Sequence, residues 1–77
     1  MSQALPQTET EIRNEFSDRA NYFSLMCAVN NARGGEYASA WCRYARRVML
    51  TLGYPAETAN WSDDQTIRYA QNIVAMG

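Results

Sequence analysis

The chain has 77 residues, and its seven basic side chains nearly balance its eight acidic ones, leaving a formal net charge of −1. Every basic residue is arginine and there is no histidine, so the commonest general base, metal ligand and pH switch is absent, as is lysine. We therefore expect a protein that is not an enzyme and binds no metal or cofactor. The even charge also argues against a global attraction to nucleic acid or acidic membranes.

The first seven residues are predicted to be a flexible tail, followed by one domain over residues 8–77. Pro6 and its small polar neighbours do not support a helix, and this segment has neither the basic nor the apolar region of a signal peptide. No apolar run in the chain approaches the ~18 residues that span a bilayer. These features favour a cytoplasmic protein without a membrane partner.

A first helix is predicted over residues 9–32. Thr8 and Glu11 have the spacing of a capping box, and two i,i+4 pairs are predicted in the favourable orientation, Glu9 with Arg13 and Glu15 with Arg19. Apolar residues follow one stripe: Ile12, Phe16, Ala20, Phe23, Met26 and Cys27. Such a helix would be ~35 Å long. This exceeds the length of the central helix, so one end is expected to overhang or to break. The Ser17-Asp18 pair is the favoured position of a break, because both residues cap helices better than they continue them.

A central helix is predicted over residues 36–52, between two glycine signals. Gly34 or Gly35 should end the first helix in the left-handed conformation, and Gly53 should end the central one. The connection between the two helices is short enough to make them antiparallel. One face is predicted to form the core, because apolar residues recur there at helical spacing: Tyr37, Trp41, Tyr44, Val48 and Leu52, with Ala38, Ala45 and Met49 beside them.

A third, shorter helix is predicted over residues 63–75. Ser62 and Gln65 make a second capping box, and Asp63 and Asp64 suit the positive end of the helix dipole. The buried stripe of this helix is predicted to be Ile67, Ala70 and Val74. No alternating apolar pattern indicates a strand. The predicted fold is all-α: a small three-helix domain with an antiparallel first helix pair and a shorter C-terminal helix.

The two cysteines, Cys27 and Cys42, are far apart in the sequence and have no neighbours at metal-binding spacing. Each lies on an apolar helix face, where a free cysteine behaves as a small apolar residue. This favours buried, reduced thiols over a disulfide, and no zinc site is expected.

A local resemblance covers about a third of the chain. The segment from Gly35 through Tyr37 to Ala40 resembles the G-x-Y-x-x-A turn-helix step of tetratricopeptide helices. It is also similar to the opening of small bacterial regulators that restrain AraC-type activators, with Tyr44 at an aromatic position and Asn60-Trp61 later. The tetratricopeptide repeat itself is absent, and the resemblance assigns no functional residue.

The basic residues are concentrated in the middle of the chain. Residues 33–47 carry four arginines against one glutamate, a sum of +3, and the segments on either side are net acidic. The candidate partner-binding residues are Arg33, Arg43, Arg46, Arg47 and Leu50. Two interpretations remain open: the arginines pair with acids of neighbouring helices, or they form a basic face for an acidic partner.

The sequence therefore favours a small non-enzymatic binding protein that regulates or inhibits a larger macromolecular partner through protein–protein contacts. Phage proteins that block bacterial defence or host machinery, anti-CRISPR proteins included, offer a class analogy based on small size and the lack of catalytic groups. Homodimerisation through the same helix is an alternative. A DNA-binding transcriptional regulator is a further alternative, less favoured because the chain is net acidic and has no legible helix-turn-helix signature.

Overall fold

Side-chain caps mark the starts of three helices in this computed structural model, which describes residues 5–77. The described chain forms four α-helices: α1 (Glu9–Phe16), α2 (Arg19–Asn31), α3 (Ala38–Thr51) and α4 (Asp63–Met76). A 3-10 turn, Ala56–Asn60, precedes α4. This confirms the all-α fold. No helix within residues 5–77 combines the length and the apolar character that a membrane crossing requires.

The predicted first helix is divided in two at the predicted position. Ser17 ends α1, and the Asp18 side chain caps α2 by accepting the backbone N–H groups of Ala20 and Asn21 at 2.8 and 3.2 Å. An aspartate in this role satisfies amide groups that the first turn of a helix leaves free. The break therefore separates residues that one continuous helix would have placed on adjacent turns.

Both predicted capping boxes are present. The Thr8 hydroxyl accepts the N–H of Glu11, and the Glu11 carboxylate accepts the N–H of Thr8, at 3.1 and 3.0 Å. Ser62 and Gln65 exchange the equivalent bonds at the start of α4. Gly34, with φ of 78°, and Gly53, with φ of 100°, occupy the left-handed region in the turns after α2 and α3.

The core lies between α3 and the other helices. Its fully buried side chains include Ile12 from α1, Met26 and Val29 from α2, and Val48 and Met49 from α3. Trp41, Tyr44 and Trp61 are half-buried and pack against this centre. On α4 the innermost positions are Ala70 and Thr66, whereas Ile67 and Val74 are only partly buried. The α2–α4 contact is the most extensive in the fold.

The prediction that Tyr37 belongs to the core is wrong. Tyr37 is 67% exposed and is the N-cap residue of α3, which begins only at Ala38. The sequence pattern extended the helical spacing back to residue 37, but the backbone there still belongs to the turn. Its side chain is therefore not on the inward face that Val48 defines.

The last two residues of the predicted tail contact the folded part of the chain. Residues 1–4 lie outside the described residues. The Tyr44 hydroxyl donates to the Pro6 carbonyl at 2.6 Å, and the Arg47 guanidinium donates to the Gln7 side-chain oxygen at 2.9 Å and also to the Gln7 carbonyl. Residues 6 and 7 are thus held against α3.

Candidate interaction surface

Helix α3 presents two chemically different sides. Its inner side consists of Cys42, Ala45, Val48 and Met49, all with no exposed surface. The spacing of three, three and one residues places these side chains on one side of the helix. The arginines at positions 43, 46 and 47 consequently lie away from the core, and the structure gives each of them a different environment.

Arg46 contacts the start of α4 within the fold. Its guanidinium donates to the Asp63 carboxylate and to the Thr66 hydroxyl, both at 3.0 Å, and its side chain is only 17% exposed. The second Asp63 oxygen accepts the Ser39 hydroxyl at 2.6 Å. We call these four residues, Ser39, Arg46, Asp63 and Thr66, the polar junction.

The polar junction keeps Asp63 ionised. The hydrogen bond from Ser39 and the contact with Arg46 lower the pKa of the Asp63 carboxyl, because both stabilise its charged form. Asp63 is also the first residue of α4, where the helix dipole favours a negative charge. For Arg46, internal pairing is therefore the observed arrangement.

Arg47 and Arg43 lie on the outer side of α3. Arg47 is exposed, although its guanidinium holds Gln7 as described above. Arg43 is exposed and forms no ion pair with any of residues 5–77, although it contributes to the lowered pKa of Asp63. The two arginines are four residues apart, so they occupy adjacent turns of one face.

Leu50 and Arg33 complete the predicted set. Leu50 is half-buried and is three residues beyond Arg47, on the same side of the helix. Arg33 is exposed, but it lies in the turn between α2 and α3. The structure thus brings Arg43, Arg47 and Leu50 together as one strip, which we call the outer strip. Arg46 lies at its edge in the polar junction, and Arg33 precedes the helix.

A cluster of tyrosine hydroxyl groups was not predicted from the sequence. Tyr22 donates to Tyr54 at 3.0 Å, and the Tyr54 and Tyr69 hydroxyls are 3.1 Å apart. Burial is the main reason that the pKa values of Tyr22 and Tyr69 are raised, so both remain neutral near pH 7. The cluster joins α2, the loop after α3, and α4, and Trp61 packs on Tyr69 with ring centroids 5.4 Å apart. We interpret it as structural.

The cysteines have no arrangement suited to metal binding or catalysis. Cys42 is buried, Cys27 is half-buried, and both are free thiols. Burial, reinforced by the charge of Asp63, raises the pKa of the Cys42 thiol, which favours the poorly nucleophilic protonated form. Within residues 5–77 no group of three or more His, Cys, Asp or Glu side chains could hold a metal ion.

The chain was compared with protein families, curated proteins and solved structures, and none of them matches it.

Proposed function

We propose that this chain is a small cytoplasmic binding protein that regulates or inhibits a larger protein by placing the outer strip of α3 against an acidic surface of that protein. It would act by occupying a surface rather than by catalysis. Among roles of this kind, a phage-type inhibitor of bacterial defence or host machinery is the one that its small size and missing catalytic groups suggest.

The observation that carries the proposal is the exposure of Arg43. Arg46 forms an ion pair with Asp63 in the polar junction. Arg43 faces solvent without an ion pair among residues 5–77. Arginine is enriched at protein interfaces because its planar guanidinium can bind a carboxylate through two hydrogen bonds. Leu50 and the aliphatic stem of Arg47 supply apolar area beside it.

The test is a pull-down from bacterial lysate in which the wild-type protein and Arg43→Glu are compared, with retained proteins identified by mass spectrometry. We expect at least one protein to be retained by the wild type and lost from Arg43→Glu. Arg68→Glu is the matched control, because Arg68 is exposed on α4 and the substitution changes net charge equally. Loss of the same protein from both variants would show that net charge, and not the outer strip, is responsible.

Duplex DNA provides the second arm of the test. Phosphate contacts weaken steeply with salt, so binding through the arginines would be strongest at low ionic strength. We expect no binding of the wild type to duplex DNA at low salt. DNA binding that disappears both in Arg43→Glu and at higher salt would replace the proposal with a DNA-binding regulator. Sedimentation of the purified protein would show whether a second copy is the partner.

A further inference from the structure

A second surface lies beside Trp41 and reaches the outer strip only at Gln7, the residue that Arg47 holds. An open groove of about 810 Å³ lies between the N-terminal segment, α1, α2 and the start of α3. Its accessible apolar lining is Leu5, which is 44% exposed, and the half-buried Trp41, whereas Phe16 and Leu25 form its buried floor. A groove of this size accommodates several side chains of a bound peptide rather than a single small group.

The charged side chains that line this groove are acidic, and the Arg47 guanidinium reaches its edge at Gln7. Glu11 and Glu15 line it, and no arginine does. The Glu11 carboxylate accepts the N–H groups of Gln7 and Thr8, and these bonds lower the pKa of Glu11, so it remains negatively charged.

The break between α1 and α2 explains why Glu15 is available. A continuous helix would have placed Arg19 one turn after Glu15, but the interruption at Ser17 and Asp18 removes that register. The predicted ion pair is absent: within residues 5–77 the ion pairs are Arg13–Glu9 and Arg46–Asp63. The Glu15 carboxylate is therefore exposed beside the groove without a cationic partner among the described residues.

We propose that the groove between α1, α2 and the start of α3 binds a basic segment of a protein partner, with apolar side chains against Leu5 and Trp41 and an arginine or lysine at Glu15. Charge complementarity selects the cationic side chain, and the Trp41 ring can add a cation–π contact. The aliphatic stem of arginine or lysine suits this mixed surface, because it can pack on apolar atoms while its charged end reaches a carboxylate. This surface borders the outer strip at Gln7, which Arg47 holds, but Arg43 does not line it and it does not depend on the function proposed above.

The experiment is a selection from a display library of peptides of about 12 residues, roughly three helical turns if helical. The immobilised targets are the wild type, Glu15→Arg and Glu9→Arg. We expect the wild type to enrich peptides that combine arginine or lysine with large apolar residues. Glu15→Arg should lose this enrichment and Glu9→Arg should keep it, because Glu9 does not line the groove.

One selected peptide is then titrated in solution against the Trp61→Phe variant, in which Trp41 is the remaining tryptophan fluorophore. Binding should change the fluorescence of Trp41, and Glu15→Gln should weaken it about three- to fivefold, the range of a partly exposed ion pair. Glu9→Gln should leave the affinity unchanged.

Several results would overturn the inference. They are the absence of enrichment on the wild type, equal loss on both arginine variants, and binding that leaves Trp41 fluorescence unchanged. Enrichment of acidic peptides without any basic ones would also contradict a basic ligand for the groove. If the wild type sediments as a dimer and Glu15→Arg as a monomer, the groove binds a second copy of the chain and the proposal is wrong.

Discussion

Arg43 and Arg46 are three residues apart on α3, yet the structure uses them differently. Arg46 is mostly covered and binds Asp63 and Thr66, whereas Arg43 extends from the outer strip into solvent. The position of a neighbouring helix creates this difference. Asp63 is the first residue of α4, and α4 begins where it does because Ser62 and Gln65 cap it.

The difference shows how a small fold can divide one basic segment into a part that pairs internally and a part that stays exposed. The polar junction fixes the start of α4 against α3, so the arginine nearest to that start becomes internal. Arg43 and Arg47, on the outer side of the helix, remain exposed. Substitutions on the two sides of α3 should therefore have separate effects on stability and binding.

The largest expected effect on stability comes from the inner side of α3. Met49→Ala removes a side chain with no exposed surface, and the resulting cavity should lower the free energy of unfolding by about 2–5 kcal/mol. Leu50→Ala, at the adjacent but half-buried position, should cost about 1 kcal/mol. Urea denaturation followed by circular dichroism measures both values. Equal costs would show that the outer strip belongs to the core.

The polar junction should give the next largest effect. Arg46→Met keeps most of the aliphatic stem but removes the hydrogen bonds to Asp63 and Thr66, so the free energy of unfolding should fall by about 1–2 kcal/mol. Asp63 is 40% exposed, and solvent screening keeps the expected value at the lower end. Arg43→Met is the matched control and should change stability by less than about 0.5 kcal/mol. If Arg43→Met lowered the free energy of unfolding more than Arg46→Met, Arg43 and not Arg46 would be the structural arginine.

The parts of the fold that depend on neighbouring residues were predictable from the sequence. Thr8 with Glu11 and Ser62 with Gln65 identified two helix starts, and the Ser17-Asp18 pair identified the break. These signals act within a few residues, so their outcome requires no knowledge of the remaining chain.

The parts that depend on distant contacts were not predictable. Helical spacing grouped Arg43 with Arg46, because nothing near them indicates that Asp63 will lie beside only one. The same spacing placed Tyr37 in the core and paired Glu15 with Arg19, since it assumes that a helix is continuous. The acidic groove arises from that discontinuity, and only the assembled helices show it.

The dependence of stability on acidic pH tests the charge of Asp63 in the polar junction. The pKa of Asp63 is lowered in the folded chain, so on acidification the unfolded chain takes up the proton first, and stability is lost as the pH falls below about 4. Asp63→Asn should make the free energy of unfolding fall less steeply in this range. Asp64→Asn is the control, because Asp64 is the next residue and forms no ion pair within residues 5–77. Equal flattening by both substitutions would assign the effect to overall charge.

The smallest effect provides the most direct comparison of the two arginines. A double-mutant cycle between Arg46→Met and Asp63→Asn should give a coupling free energy of about 1 kcal/mol, because the pair is hydrogen-bonded and largely covered on the arginine side. The cycle between Arg43→Met and Asp63→Asn should give no more than about 0.3 kcal/mol, since a screened interaction across solvent is weak. Similar coupling in both cycles, measured by urea denaturation, would mean that Arg43 also belongs to the junction. The outer strip would then lose its exposed charge, and the binding surface proposed on α3 would have to be sought elsewhere.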